Sequence, residues 1–154
     1  MMIRFLLTLC CCFFIFKNVE AAPVDSNFAV DFIQAGNGKT KIAFDSSGRM
    51  YVTEKQGRVL LFEPNSSGGF ESPIILLDIS ADVDSAQEAG LLGFEVDPDH
   101  SNNRFIYLFY TTSTDQRLVR YTMNGAYNGI ESNSATILLS GLLFHSYSCG
   151  TSWS

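Results

Sequence analysis

Past its first dozen positions the chain has a single cysteine, Cys149. A chain bound for an oxidising compartment with one thiol holds no internal disulfide. Cys149 is therefore unpaired, bridges another chain, or has its partner in sequence lying further on. Basic residues are also few, 10 Lys and Arg against 16 Asp and Glu. They form no stripe, which excludes the clustered cations that phosphate neutralisation requires and with them a nucleic-acid surface. No apolar run reaches the length of a membrane span. The longest, Phe5 to Phe16, is about 12 residues against the roughly 20 that a spanning helix needs, so no stable membrane insertion is expected. A helical apolar stripe longer than two turns is missing as well, which leaves strands as the default element.

What the N-terminus does have is the order of a secretory signal: basic Arg4, the apolar run, then a polar stretch ending in Val19-Glu20-Ala21. Cleavage after Ala21 is expected, the alternative being a retained anchor, and Pro23 closes any helix there. Loss of residues 1–21 leaves 8 basic and 15 acidic residues and a formal charge of −7, an acidic, secreted chain. Asn65-Ser66-Ser67 is a glycosylation sequon on a turn-like segment, a common pattern by chance but plausible in this compartment.

Short runs rich in β-branched and aromatic residues recur through 22–154, each closed by Gly, Asn, Asp or Ser. Strands are expected at Ala29–Ile33, Lys41–Asp45, Met50–Glu54, Arg58–Glu63 and Pro73–Ile79, with a loop over Pro64–Gly69. The second half repeats this plan. Ala43-Phe44-Asp45 matches Glu95-Val96-Asp97, Met50-Tyr51-Val52 matches Ile106-Tyr107-Leu108, Val59 to Phe62 matches Leu118 to Tyr121, and Ile75-Leu76-Leu77 matches Ile137-Leu138-Leu139. A repeat of about 50 to 60 residues with four strands per unit fits a β-propeller blade better than a sandwich. An unrelated all-β meander is the simpler alternative. A blade needs neighbours on both faces and rings hold about four to eight of them, so an all-β partial propeller of about two four-stranded blades is expected, the front of a larger ring or a truncated product.

The most distinctive stretch is Glu88-Ala89-Gly90-Leu91-Leu92-Gly93-Phe94-Glu95-Val96-Asp97-Pro98-Asp99, followed by Asn103-Arg104-Phe105-Ile106-Tyr107-Leu108-Phe109-Tyr110. Glycine lets backbone approach a neighbour or a ligand closely, so Gly90 and Gly93 serve either tight packing or a site. Leu91 and Leu92 are expected on opposite faces of a strand buried on both sides. The stretch resembles the glucose/sorbosone dehydrogenase family, six-bladed quinoprotein propellers whose relatives include a Hedgehog-interacting-protein-like group. The resemblance runs over roughly 28–145.

That resemblance implies pyrroloquinoline quinone and calcium as cofactors and a sugar as substrate. Its cofactor position falls on Glu88, where active relatives commonly carry glutamine, while Gln87 sits one residue off and so faces the other way on a strand. An ionised glutamate accepts but cannot donate hydrogen bonds and repels the quinone's carboxylates. The general base implied is His145, at the approach to a third blade, although Ser146 to Thr151 departs from the family's pattern. His100 is expected to be solvent-exposed. Asp97 and Asp99 are expected to form a turn and not a metal site, since EF-hand spacing and a second cluster are lacking. The eight basic residues after the signal, Lys39, Lys41, Arg49, Lys55, Arg58, Arg104, Arg117 and Arg120, read as solvated faces. The chain alone is expected to lack dehydrogenase activity. A non-catalytic extracellular module that presents its loops to a protein partner is the alternative.

Overall fold

Four strands, β1 (Lys39–Phe44), β2 (Met50–Glu54), β3 (Arg58–Phe62) and β4 (Ile74–Asp78), form an antiparallel sheet in chain order. The source is a computed structural model, and it describes residues 38–143. The short hairpin links follow from local chemistry. Asp45 Oδ1 accepts the Ser47 and Arg49 amide N–H groups at 2.9 and 3.0 Å, and Gly48 takes φ +80° in the turn. The expected strand at Ala29–Ile33 and the signal segment lie outside the described residues.

A second sheet repeats the first strand for strand: β5 (Leu91–Val96), β6 (Phe105–Thr111), β7 (Gln116–Thr122) and β8 (Thr136–Leu142). Register confirms the repeat read from sequence. Ala43 pairs with Tyr51 and Tyr51 with Leu61, while Glu95 pairs with Tyr107 and Tyr107 with Arg120. On the outer strands Leu60 pairs with Ile75 and Val119 with Ile137. Irregularities recur at equivalent places, between Lys39 and Lys41 and between Leu91 and Gly93 on the first strands, and between Val59 and Leu60 and between Leu118 and Val119 on the third. Shared bulges mark one backbone design used twice.

Each sheet closes its first turn with the same pair. Tyr51 Oη donates to Asp45 Oδ2 at 3.0 Å, and Tyr107 Oη to Asp97 Oδ2 at 2.5 Å. The second turn is longer and carries a one-turn helix, α1 (His100–Asn103). Asp97 and Asp99 build it as expected: Asp97 accepts the Asp99 N–H at 2.8 Å and Asn103 Nδ2 at 2.8 Å, and Asp99 accepts Asn102 Nδ2 at 2.5 Å.

Consecutive sheets meet through one shared core. Tyr51, fully buried, stacks on Phe94 with ring centroids 5.3 Å apart and an interplanar angle of 27°. Val59 and Leu61 of the first sheet and Ile106, Leu108 and Val119 of the second join the same cluster. The opposite face of the first sheet packs separately around Met50, Val52, Leu60 and Phe62. Backbone also crosses: Leu91 N–H donates to Lys55 O at 2.9 Å, and Thr40 Oγ1 donates to Leu91 O at 2.7 Å. Burial pushes the Tyr51 phenol well above its usual range, and the Asp45 carboxylate pushes it further, so the hydroxyl remains a donor.

Three expectations need correction. His100 is buried, 5% exposed, because α1 turns its ring inward; Nδ1 lies 2.9 Å from Phe105 O and the ring packs edge-on to Tyr127 at 5.4 Å. Arg49 and Arg120 are half-buried and engaged, not free on a solvated face. Arg49 bonds Asp45 at 2.7 Å and Glu63 at 3.2 Å and lies over Tyr127, while Arg120 lies over Phe105 at 4.1 Å. Sheet-face position, invisible in composition, decides their surroundings. Leu91 is fully buried but Leu92 is exposed, because no further sheet covers that face among the described residues.

These contacts set two expected outcomes in urea unfolding. Tyr51→Ala costs about 3–5 kcal/mol by losing a buried aromatic ring, whereas Tyr51→Phe costs about 1–2 kcal/mol by leaving Asp45 short of a donor. Burial alone would raise the Asp45 pKa, but bonds from Arg49, Tyr51 and Ser47 outweigh it and hold the carboxyl below its usual value. A depressed folded-state pKa gives stability that is present above the unfolded value, about 3.9, and lost as pH falls through the folded one. Stability therefore drops below about pH 4, and Asp45→Asn flattens that acid limb.

Candidate functional site

The segment that carries the resemblance enters β5 through a loop held by its own backbone. Asp84 Oδ1 accepts the Ala86 N–H at 3.0 Å, and Ala89 N–H donates to Ala86 O at 2.8 Å. Gln87 has φ +48°, and its carbonyl accepts a bond from Lys55 Nζ. Gly90 then runs at φ +147° beside Lys55, where a Cβ would lie 2.7 Å from Lys55 O. Only glycine fits there. At Gly93 a Cβ would stand 3.0 Å from Phe109 Cβ. Both glycines are thus held against protein atoms, and the tight-packing reading accounts for them.

Glu88 is exposed in this loop, next to Gln87, which is exposed too. The lysines of the first sheet are largely committed: Lys39 pairs with Glu54 and Lys55 with the Gln87 carbonyl, while Lys41 is exposed. Lys41 borders an open cleft of about 300 Å³ lined also by Leu92, Gly93, Phe94, Glu95, Tyr107, Phe109 and Leu118. A second, polar cleft of about 330 Å³ lies between Asp82, Tyr110, Thr112 and Arg117. Its guanidinium is engaged, since Arg117 Nη2 binds Asp115 at 2.6 Å. Hydrogen bonds from the Gly141 amide, Thr112 and Arg117 hold the Asp115 carboxyl down at about 2.

His145 and Cys149 lie outside the described residues, so Glu88 and Asn65 are the sequence-derived site residues that the structure places. Asn65, half-buried, organises the Pro64–Phe70 loop: Oδ1 accepts the Ser67 and Gly69 N–H groups at 3.0 Å each, and Nδ2 donates to Phe70 O at 3.1 Å. Sequence reading missed the polar cluster of Asp45, Arg49, Tyr51, Tyr127 and His100. The signal was available: an aspartate and a tyrosine recur together at equivalent places in both repeats.

A family model described as Glucose / Sorbosone dehydrogenase matches residues 38–139. The chain belongs to that family. Among solved structures it is similar to a PQQ-bound aldose sugar dehydrogenase from Streptomyces coelicolor at 19% identity and a TM-score of 0.58, covering 70% of this chain and 31% of that one. A glucose dehydrogenase-type oxidoreductase from Thermus thermophilus gives 21% identity and 0.56, with 70% and 30% covered. The soluble aldose sugar dehydrogenase of Escherichia coli in its apo-form gives 16% and 0.51, with 67% and 29% covered. At these identities the likeness concerns the fold, and it confirms the two sheets as partial blades of a propeller-like fold. No curated protein sequence matches the chain. The chain spans about three-tenths of the length of these structures.

One relative is PQQ-bound, and the described residues of this chain do not fit that group by themselves. A tricarboxylate quinone calls for converging cations. The loop offers an exposed carboxylate at Glu88, and the lysine that reaches it, Lys55, is already engaged by the Gln87 carbonyl. No cluster of three or more His, Cys, Asp or Glu able to hold a metal occurs among the described residues.

Because Gly90 is both sterically confined and at positive φ, Gly90→Ala is expected to lower the urea midpoint clearly more than Gly48→Ala, whose Cβ meets open space. Strain of about 1–3 kcal/mol is common to both; the overlap with Lys55 is added at Gly90 alone.

Proposed function

We propose that the chain forms the front two blades of a secreted sugar dehydrogenase-like propeller, and that alone it does not turn over. The parent reaction is the oxidation of an aldose hydroxyl, with hydride passing to pyrroloquinoline quinone. The observation that carries this reading is the Gly90-Leu91-Leu92-Gly93 strand, set in a two-blade repeat across the residues matched by the family. Calcium beside the quinone and His145 as the base for the sugar hydroxyl belong to the same proposal, with the remaining cofactor contacts on further blades. Imidazole titrates near neutrality and suits that role. Secretion is inferred from the order of residues 1–21.

The exposed carboxylate of Glu88 favours a second reading, an extracellular propeller that binds a protein partner through its loops without catalysis. Titrating the purified chain with pyrroloquinoline quinone and calcium, then adding glucose, separates the two. The 154-residue chain is expected to leave the quinone oxidised, and a product carrying further blades is expected to reduce it. Reduction by the short chain contradicts the inactivity proposed, and silence of the longer product favours the binding reading. Glu88→Gln, which removes a charge repelling the quinone's carboxylates, is expected to tighten quinone binding to the longer product in a fluorescence titration.

A further inference from the structure

The polar cleft lies where the connection from β4 to β5 crosses the end of β6. Thr111 clasps that connection with both of its backbone groups: its N–H donates to Gly90 O at 3.0 Å, and its carbonyl accepts the Asp84 N–H at 2.9 Å. Glu88 sits between the two clasped points, while Ala81 and Asp82, just before them, line the cleft. The remaining lining is Tyr110 and the hairpin between β6 and β7, with Thr112, Ser113, Thr114 and Arg117. Arg117 pairs directly with Tyr110, which belongs to the core shared by the two sheets. The cleft therefore opens between the two described sheets, away from the face that a further blade covers.

Its polar groups are already set in place. Asp115 Oδ1 accepts Arg117 Nε at 3.0 Å, Arg117 Nη2 at 2.6 Å and the Thr112 hydroxyl at 2.7 Å, and Oδ2 accepts the Gly141 N–H at 2.9 Å. The guanidinium is held by one edge, which leaves Nη1 without a hydrogen-bond partner among the described residues. Asp82 is exposed, and its carboxylate has no hydrogen-bond partner among them either. The bond to Asp115 raises the guanidinium's pKa most, and the charge of Asp82 adds to it, so Asp82 stands within electrostatic reach.

An anion meets two carboxylates against one guanidinium here and is repelled. A metal ion finds no cluster of three or more His, Cys, Asp or Glu able to hold it among the described residues. A sugar hydroxyl suits both walls, because it donates and accepts at once. It can give its proton to Asp82 and take one from Arg117 Nη1, whose planar fork matches neighbouring hydroxyls. Ser113 and Thr114, both exposed, add hydroxyls of their own. The volume of about 330 Å³ is at the low end of the roughly 300–1,000 Å³ usual for small-ligand sites, room for one sugar unit.

We propose that this cleft is a saccharide subsite, distinct from the Glu88 loop, that holds a neutral, non-reacting sugar unit of a longer saccharide. It rests on the sugar dehydrogenase reading for its substrate class. Titration of the purified full chain with maltose, followed in amide correlation spectra, tests it. Shifts are expected at Asp82, Ser113, Thr114 and Arg117 Nε, with affinity on the order of millimolar, and inorganic phosphate and calcium are expected to give none there. Asp82→Ala removes an exposed acid without a partner and is expected to weaken maltose binding about 10-fold or more, through loss of a hydrogen bond to a charged group. Arg117→Lys keeps the charge but loses the fork, and is expected to weaken it too. The spectra themselves report folding, and Asp82→Ala carries the test if Arg117→Lys is unfolded. Neither quinone nor turnover enters the titration. A product with further blades that fails to reduce quinone counts against the dehydrogenase reading alone, and a chain that ignores maltose counts against the cleft alone. Maltose that shifts none of these amides, shifts that persist at unchanged affinity in Asp82→Ala, or a response to phosphate or calcium in place of maltose overturns the proposal.

Discussion

Tyr51 occupies the junction where one four-stranded sheet becomes the support of the next. Its ring stacks on Phe94 of the second sheet while its hydroxyl reaches back to Asp45 in its own. A sheet of this kind is apolar on both faces, and each face left in water forfeits roughly 25 cal/mol per Å² of apolar surface. The aromatic pair supplies about 0.5–1.5 kcal/mol beyond that burial. Its larger effect is to fix how far one sheet is displaced along the other, because Tyr51 cannot move without giving up either the stack or the bond to Asp45.

From that constraint the rest of the arrangement follows. Leu91 must enter beside Lys55 to bring β5 across Tyr51, and this passage leaves no room for a side chain at Gly90. The turn before β6 must present Tyr107 as the turn before β2 presents Tyr51, and Asp97 holds it there. Backbone equivalence down to the bulges shows that the second sheet is ready to support a third in the same way. Its flanks nevertheless carry Glu95 and Arg120 where the first sheet carries Ala43 and Leu61, so the surface it offers has a different chemistry.

The strands and their pairing were legible in the sequence because burial on two faces demands apolar residues at both parities of each strand, twice over at matching offsets. The turn role of Asp97 and Asp99 was legible too, since short polar side chains next to proline have few other uses. His100 was not. A histidine in a polar turn reads as exposed, and only the inward rotation of α1 and the ring of Tyr127, distant in sequence, bury it. Arg49 and Arg120 escaped in part for the same reason, because the rings they lie over, Tyr127 and Phe105, come from other segments. Glu88 was located by resemblance, and the structure places it on an exposed loop; the roles of its neighbours Lys55 and Gln87 depend on a contact between segments that no spacing rule reveals.

The central claim is that the two sheets stack as successive blades through Tyr51 and Phe94. Nuclear Overhauser contacts between their ring protons test it most directly, with Phe94 to Leu108, neighbours across β5 and β6, as the reference within one sheet. Cross-peaks of comparable strength for both pairs are the predicted result. A Phe94 to Leu108 contact with no Tyr51 to Phe94 contact would mean that the sheets form without stacking in this way, and would contradict the account.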